Sequence, residues 1–362
     1  MLRYQAGRDG EILSRFVLAC DRTGLAGFRR GDVEIRHGIP ACCASGLAVR
    51  PCVLHIGVAT GFGPSFHRSS PLFPIGHPMV KAATDLSYCG REVRKYDNDH
   101  FLAGLFTPAD RREATFALYA FNLEIAKTRE VVSEPILGQM RLQFWRDGIE
   151  AVYEDGPVPR HEVMEPLAQA ARGLGLSRSL FDRLIDAREA DLDDTPPADL
   201  TCLVNYAEVT GAPLVKLALE ILGVRDAAAM AAGRHVGIAY ALSGILRAVP
   251  FLARQHRLRL PDDLMQRHGA KAEDLFAGRS TPELRPVVGE IADTARKHLA
   301  EARALRRDMP KAATPALLPA TLADLHLGVI AREGNDVFAP RVLLANPFRQ
   351  LRLGWAAMRG RY

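Results

Sequence analysis

From about residue 79 onward, apolar positions recur at three- and four-residue intervals, the period of an α-helix, and two-residue alternation is almost absent. Thr107-Pro108-Ala109-Asp110 supplies an N-cap, a proline at the first helical position and an acid in the first turn. Beyond it Ala114, Leu118, Phe121 and Ile125 fall on one face. A second start at Ser133-Glu134-Pro135 leads into Ile136, Met140 and Phe144, spaced by four. Further helical patterns run through 179–191, 200–222, 227–251, 282–307 and 315–331. The pattern predicts one all-α domain over residues 79–362, its helices joined by short turns carrying Gly or Pro.

Residues 1–78 follow no such period. Gly and Pro take 17 of these 78 positions, and no helical or strand pattern lasts beyond a turn or a short strand. Their basic content is Arg alone, nine of them, against five acids. Two readings stand: an organelle-targeting leader, opposed by the acids and the missing amphipathic helix, or a chain whose translation starts at Met79. The second is preferred.

Composition narrows the class. A hydrophobic fraction of 48%, 25% charged residues and a net charge of +5 fit a soluble globular protein with a sizeable core. Residues 1–78 contribute +4 of that charge, so the helical part is nearly neutral, and no basic stripe interleaved with aromatics suggests nucleic-acid binding. No run of about 18 uncharged apolar residues marks a transmembrane helix. Cys20, Cys42, Cys43, Cys52, Cys89 and Cys202 lack CxxC spacing and matching histidines, so neither a zinc site nor a disulfide framework is expected.

Several acids have metal-site spacing. Asp182 and Asp186 stand four apart on one predicted helix face, but Arg183 and Arg188 lie within reach to neutralise them, which favours a solvated surface. Glu189, Asp191, Asp193 and Asp194 read as the polar end of that helix before Thr195-Pro196-Pro197. His235, in an otherwise apolar helix, reads as a core histidine. No HExxH, GxSxG or P-loop pattern occurs.

Leu118-Tyr119-Ala120-Phe121-Asn122, Arg141-Leu142-Gln143-Phe144-Trp145-Arg146, Ile245-Leu246-Arg247 and Arg257-Leu258-Arg259-Leu260-Pro261, with Asp191-Leu192 and Tyr206 in order between them, resemble the squalene/phytoene synthase family from about Asp97 to Tyr362. The resemblance implies an all-α isoprenoid (terpenoid) synthase bundle around a central apolar cavity. It also implies, in active members, two aspartate-rich helices that hold magnesium against a prenyl diphosphate. The metal neutralises the departing diphosphate while apolar walls shield the carbocation. This sequence departs from the pattern at both motifs. Ala126 and Lys127 hold the first aspartate positions, with Glu130 the acid that remains, and Ala248 and Leu252 hold the second pair. Pro250 is expected to kink or end the second helix there.

Ala120 to Ala126, Val132-Ser133-Glu134, Met140 to Trp145, Leu219-Glu220-Ile221-Leu222-Gly223, Leu246 to Pro250 and Asp336-Val337-Phe338 are similar to one branch in particular. That branch is typified by a mitochondrial complex I assembly factor with a squalene/phytoene-synthase-like domain and its bacterial relatives. It implies a non-catalytic role, no cofactor, and complex I subunits or other assembly factors as partners. The expected location is the cytoplasm, or the mitochondrial matrix in a eukaryote, with peripheral contact at the inner membrane face.

The alternative is a magnesium-dependent prenyl-diphosphate transferase of carotenoid, squalene or hopanoid synthesis, with Glu130, Asp191 and acids such as Asp186 rebuilding the metal site. A second alternative is a cavity that binds a prenyl lipid without turnover. In that reading Lys127, Arg247 and Arg146 meet the head group, Tyr119, Phe144 and Trp145 line the cavity, and Asp191 and Tyr206 complete the contacts. Against it, Lys127 is expected to pair with Glu124 or Glu130 along its own helix. Phe348, Leu351, Leu353, Trp355 and Met358, among Arg349, Arg352, Arg359 and Arg361, suggest a short basic amphipathic segment suited to an anionic bilayer.

Overall fold

A computed structural model describes residues 86–362; the segment 1–78, with its two readings and the start at Met79, lies outside them. Among the described residues the secondary structure is helical throughout. In chain order the main helices are α1 (Tyr88–Tyr96), α2 (Asn98–Gly104), α3 (Ala109–Ala126), α4 (Pro135–Tyr153), α5 (Met164–Leu174) and α6 (Arg178–Ala187). They continue with α7 (Leu200–Ile221), α8 (Ala227–Arg254), α9 (Asp262–His268), α10 (Leu284–Ala304), α11 (Pro319–Arg332) and α12 (Arg349–Met358).

The helix starts follow local chemistry. Ser87, Asp97 and Asp199 cap α1, α2 and α7, each accepting a hydrogen bond from a first-turn backbone N–H. Thr107 does not cap α3 as expected: the helix begins at Ala109 with Pro108 in the cap position, and the Thr107 carbonyl accepts from Arg112.

The helix over α4 forms where its start signal stands, but Ile136, Met140 and Phe144 point outward, 56%, 64% and 37% exposed. Gly138, Leu142, Trp145, Ile149 and Val152 form the buried stripe instead. Both stripes have helical spacing, so period alone does not say which faces the core. The inner stripe wins because Trp145 packs edge-to-face on Phe121 at 5.4 Å, and Phe121 on Phe181 at 5.6 Å.

α8 runs down the middle, packed against α7, α10 and α11. By length and composition it is apolar enough to cross a membrane, and about half of that stretch is buried within the bundle. It also continues past Pro250 to Arg254, so the expected break does not occur. One lost backbone donor is outweighed by packing along both neighbours. The crossing of α7 and α8 is backbone on backbone: a Cβ on Gly211 would overlap the Gly237 carbonyl, and one on Gly237 would overlap Gly211 and Ala212.

Candidate functional site

A cavity of about 540 Å³ opens between α3, α7 and α8, bordered by residues 188–197 and 257–259. Its buried end carries His100, Leu214 and Tyr240, with Gly211, Gly244 and Ile245 along the walls. A side chain at Gly244 would enter open space, so the glycine there leaves that wall clear. His100 sits against Tyr119 and Tyr240, ring centroids 4.5 and 4.9 Å away. Burial alone would lower the His100 pKa, but Asp97, 2.6 Å from Nδ1, raises it above the ordinary histidine value.

The open end is a set of guanidinium groups laced to acids. Arg129, Arg188, Arg257 and Arg259 line it, with Glu130, Asp191 and Asp193. Asp191 is fully engaged: Oδ1 accepts from the Tyr206 hydroxyl at 2.6 Å, Oδ2 from Arg188 at 3.2 Å, and Arg259 stands 3.7 Å from Oδ1. Arg188, partly buried, also donates to Tyr206 at 3.3 Å and Asn122 at 3.4 Å. Burial pushes the Tyr206 phenol up to about 12, so it stays a neutral donor. Arg257 and Arg259 donate to the backbone carbonyls of 190–193, and Arg257 and Arg129 share Asp194 at 2.8 and 2.9 Å.

The four positions of the two altered motifs that reach the cavity are Ala126, Glu130, Ala248 and Leu252. Asp191 and Tyr206 line it with them. Lys127, Tyr119, Phe144, Trp145, Arg146 and Arg247 are not among its lining residues. Lys127 lies at the C-terminal end of α3 and pairs back to Glu124, a buried carboxylate that also takes Arg141 at 2.5 Å. Tyr119 and Trp145 fill the core, and Phe144 lies at the surface. Arg146 turns outward to Asp186 at 3.0 Å and Glu189 at 2.6 Å. Asp186 is thus a surface group neutralised by Arg146 rather than by Arg183 or Arg188, and Asp182 meets Arg178 at 3.6 Å. Arg247 turns to Asp99 at 3.4 Å.

Asp99 carries no sequence signal and emerges only in three dimensions. Its carboxylate gathers His326 from α11 at 3.1 Å, Arg247 from α8 and Arg349 from α12 at 2.9 Å. Burial would raise its pKa, but these partners hold it at about 2. His326 is itself kept below the usual histidine value by burial and the two arginines.

Magnesium of the kind the resemblance implies needs several oxygen ligands in near-octahedral array. Ala126, Ala248 and Leu252 offer none, and both oxygens of Asp191 are occupied by Tyr206 and Arg188. Glu130 and Asp193 remain among four guanidinium groups, Asp193 with one oxygen already held by Thr195, and that set does not fit the ion. The planar N–H forks of these arginines are of the kind that matches phosphate or carboxylate oxygens.

Comparison with known proteins adds four findings. Residues 93–348 match the family model for squalene/phytoene synthase. Over 332 residues, 91% of this chain and 96% of the relative, the sequence is 35% identical to NADH dehydrogenase (ubiquinone) complex I, assembly factor 6, of Bos taurus. It is 29% identical to a presqualene diphosphate synthase of Rhodopseudomonas palustris over 56% of this chain and 72% of that protein. The crystal structure of a squalene synthase from Alicyclobacillus acidocaldarius superposes with a TM-score of 0.61 at 20% identity, over 68% of this chain and 93% of that one, and shows the same fold.

Proposed function

Because the chain belongs to the squalene/phytoene synthase family, we propose that it is a non-catalytic member whose role is the assembly of respiratory complex I, NADH:quinone oxidoreductase. The observation that carries this is the cavity opening: Ala126, Ala248 and Leu252 stand where carboxylates would be needed, and Asp191 is tied to Tyr206 and Arg188. Without oxygen ligands the diphosphate leaving group has no metal to neutralise it. The match to complex I assembly factor 6 over nearly the whole of that relative supports the same reading. So does the outward stripe of Ile136, Met140 and Phe144 on α4, an exposed apolar strip suited to a protein partner among complex I subunits or other assembly factors.

Deleting the gene tests the role, with complex I assembly followed on native gels and NADH:quinone activity as the readout. Loss of both, restored by the full chain, is the expected result; normal complex I refutes the role. Turnover of farnesyl or geranylgeranyl diphosphate with magnesium would refute the non-catalytic assignment separately.

The cavity itself favours a second, compatible reading: it holds a prenyl phosphate or diphosphate without converting it, the head group meeting Arg129, Arg188, Arg257 and Arg259. Binding that ignores EDTA and is lost in Arg259→Ala is expected, and binding that requires magnesium refutes it. The role sets the site of action at the matrix or cytoplasmic face of the membrane carrying complex I. Phe348 at the N-cap of α12 and Leu351, Trp355 and Met358 along it are exposed at helical spacing beside Arg352 and the C-cap Arg359, an arrangement suited to peripheral bilayer contact. Truncation would also remove Leu353 and Tyr362, which are buried, so Leu351→Asp with Trp355→Glu is the cleaner flotation test. Unchanged flotation with anionic vesicles refutes a role for this face.

A further inference from the structure

On the side of α8 away from the cavity lining, three side chains from two helices converge. His235 projects from α8, and His298 and Glu301, three residues apart, project from α10. His235 Nδ1 lies 2.9 Å from His298 Nδ1 and 2.9 Å from Glu301 Oε2, and His298 Nδ1 lies 3.6 Å from the same oxygen. These three atoms form one small triangle. A cation about 2.1 Å from each would sit roughly 1 Å out of their plane, the placement of zinc above three protein ligands with a further position left open.

Protons satisfy this triangle poorly. With both rings neutral, every choice of tautomer leaves at least one of these contacts as two facing lone pairs or two opposed N–H groups. Burial lowers the pKa of both rings, which favours the neutral form that a metal binds. Arg234, whose charge acts on both rings, is held by both oxygens of Glu208 at 2.7 and 2.5 Å. The histidines are partly accessible and Glu301 is half exposed, so an ion has a way in. Two imidazoles and one carboxylate suit zinc and its transition-metal neighbours better than magnesium or calcium.

We propose that His235, His298 and Glu301 form a binding site for a divalent transition ion of the zinc class, tying α8 to α10.

The test is cobalt(II) titration of the metal-free full chain, with cobalt standing in for zinc. One equivalent bound with visible d–d absorption is expected, weakened at least about 100-fold in His298→Ala and about tenfold in Glu301→Gln. Glu301 is half exposed, so its variant keeps the measurement readable if the histidine variant folds poorly. His268→Ala, whose ring pairs with Glu290 on another part of α10, is expected to bind as the parent does. Zinc at a hundredfold excess over Kd should raise the melting temperature by roughly 5 °C in the parent and not in His298→Ala. No uptake, equal uptake by His298→Ala and Glu301→Gln, or sulfur-to-cobalt charge-transfer bands indicating cysteine ligands would each overturn the proposal.

Discussion

The cavity opening and the outer face of α8 are two ends of one contrast. Around the opening, positions suited to metal-binding acids are Ala126, Ala248 and Leu252, and Asp191, one of three acids lining it, is matched by Tyr206, Arg188 and Arg259. On the outer face, His235, His298 and Glu301 bring three unmatched ligand atoms together. The same helix serves both. The difference teaches that donor count alone says little: Asp191 is rich in contacts and poor in free lone pairs, whereas the outer triad has lone pairs without enough protons to share.

The largest expected effect removes both regions at once. Gly237→Ala forces a methyl into the α7 backbone at the point where the two helices cross, and a loss of about 3 kcal/mol or more is expected in urea unfolding. An unchanged midpoint would mean the crossing is looser than described. Next comes Asp99→Asn, which unties α2 from α8, α11 and α12. With its carboxyl held at about 2 when folded, Asp99 stabilises the native state by about 2 kcal/mol at neutral pH. That contribution is present above the unfolded carboxylate value and is lost as pH falls toward 2. The gap between parent and variant should therefore close over that acid range; a gap constant with pH would refute the linkage.

A third change tries to erase the contrast. Ala126→Asp with Ala248→Asp returns two acids to the cavity wall, and magnesium is then expected to tighten binding of a prenyl diphosphate analogue by about tenfold. If magnesium still has no influence, the guanidinium groups rather than the missing acids control the opening. Smallest is Lys127→Ala. Its pair with Glu124 is partly exposed and Arg141 remains on the same carboxylate, so the cost should stay within about 0.5 kcal/mol with lipid binding unaltered. Weaker lipid binding in that variant would return Lys127 to the cavity.

Much of the fold was legible in the chain. The starts of α4, α7 and α8 stand where period, proline and capping signals put them, and α7 spans Leu200–Ile221 against an expected 200–222. The short helices α1, α2, α5 and α9 were not anticipated, because a helix of one to three turns gives too few repeats to establish a period. At the site, motif order brought Ala126, Glu130, Asp191, Tyr206, Ala248 and Leu252 to one cavity. Arg257 and Arg259 stand in a motif of the resemblance that assigns them no site role, Arg188 reads from sequence as a partner of surface acids, and Arg146 and Arg247, expected at the cavity, turn elsewhere because a guanidinium on a long stem gives no sequence clue to its direction.

The long helices, the family and the replaced carboxylates are legible in the chain, because period, motif order and residue identity are written along it. Tertiary structure alone decided which stripe of α4 is inside, which arginines reach the cavity, and that Asp99 meets Arg349 across 250 positions. It also brought His235 to His298, 63 positions apart, because a contact between helices depends on their crossing and rotation, which no local pattern encodes.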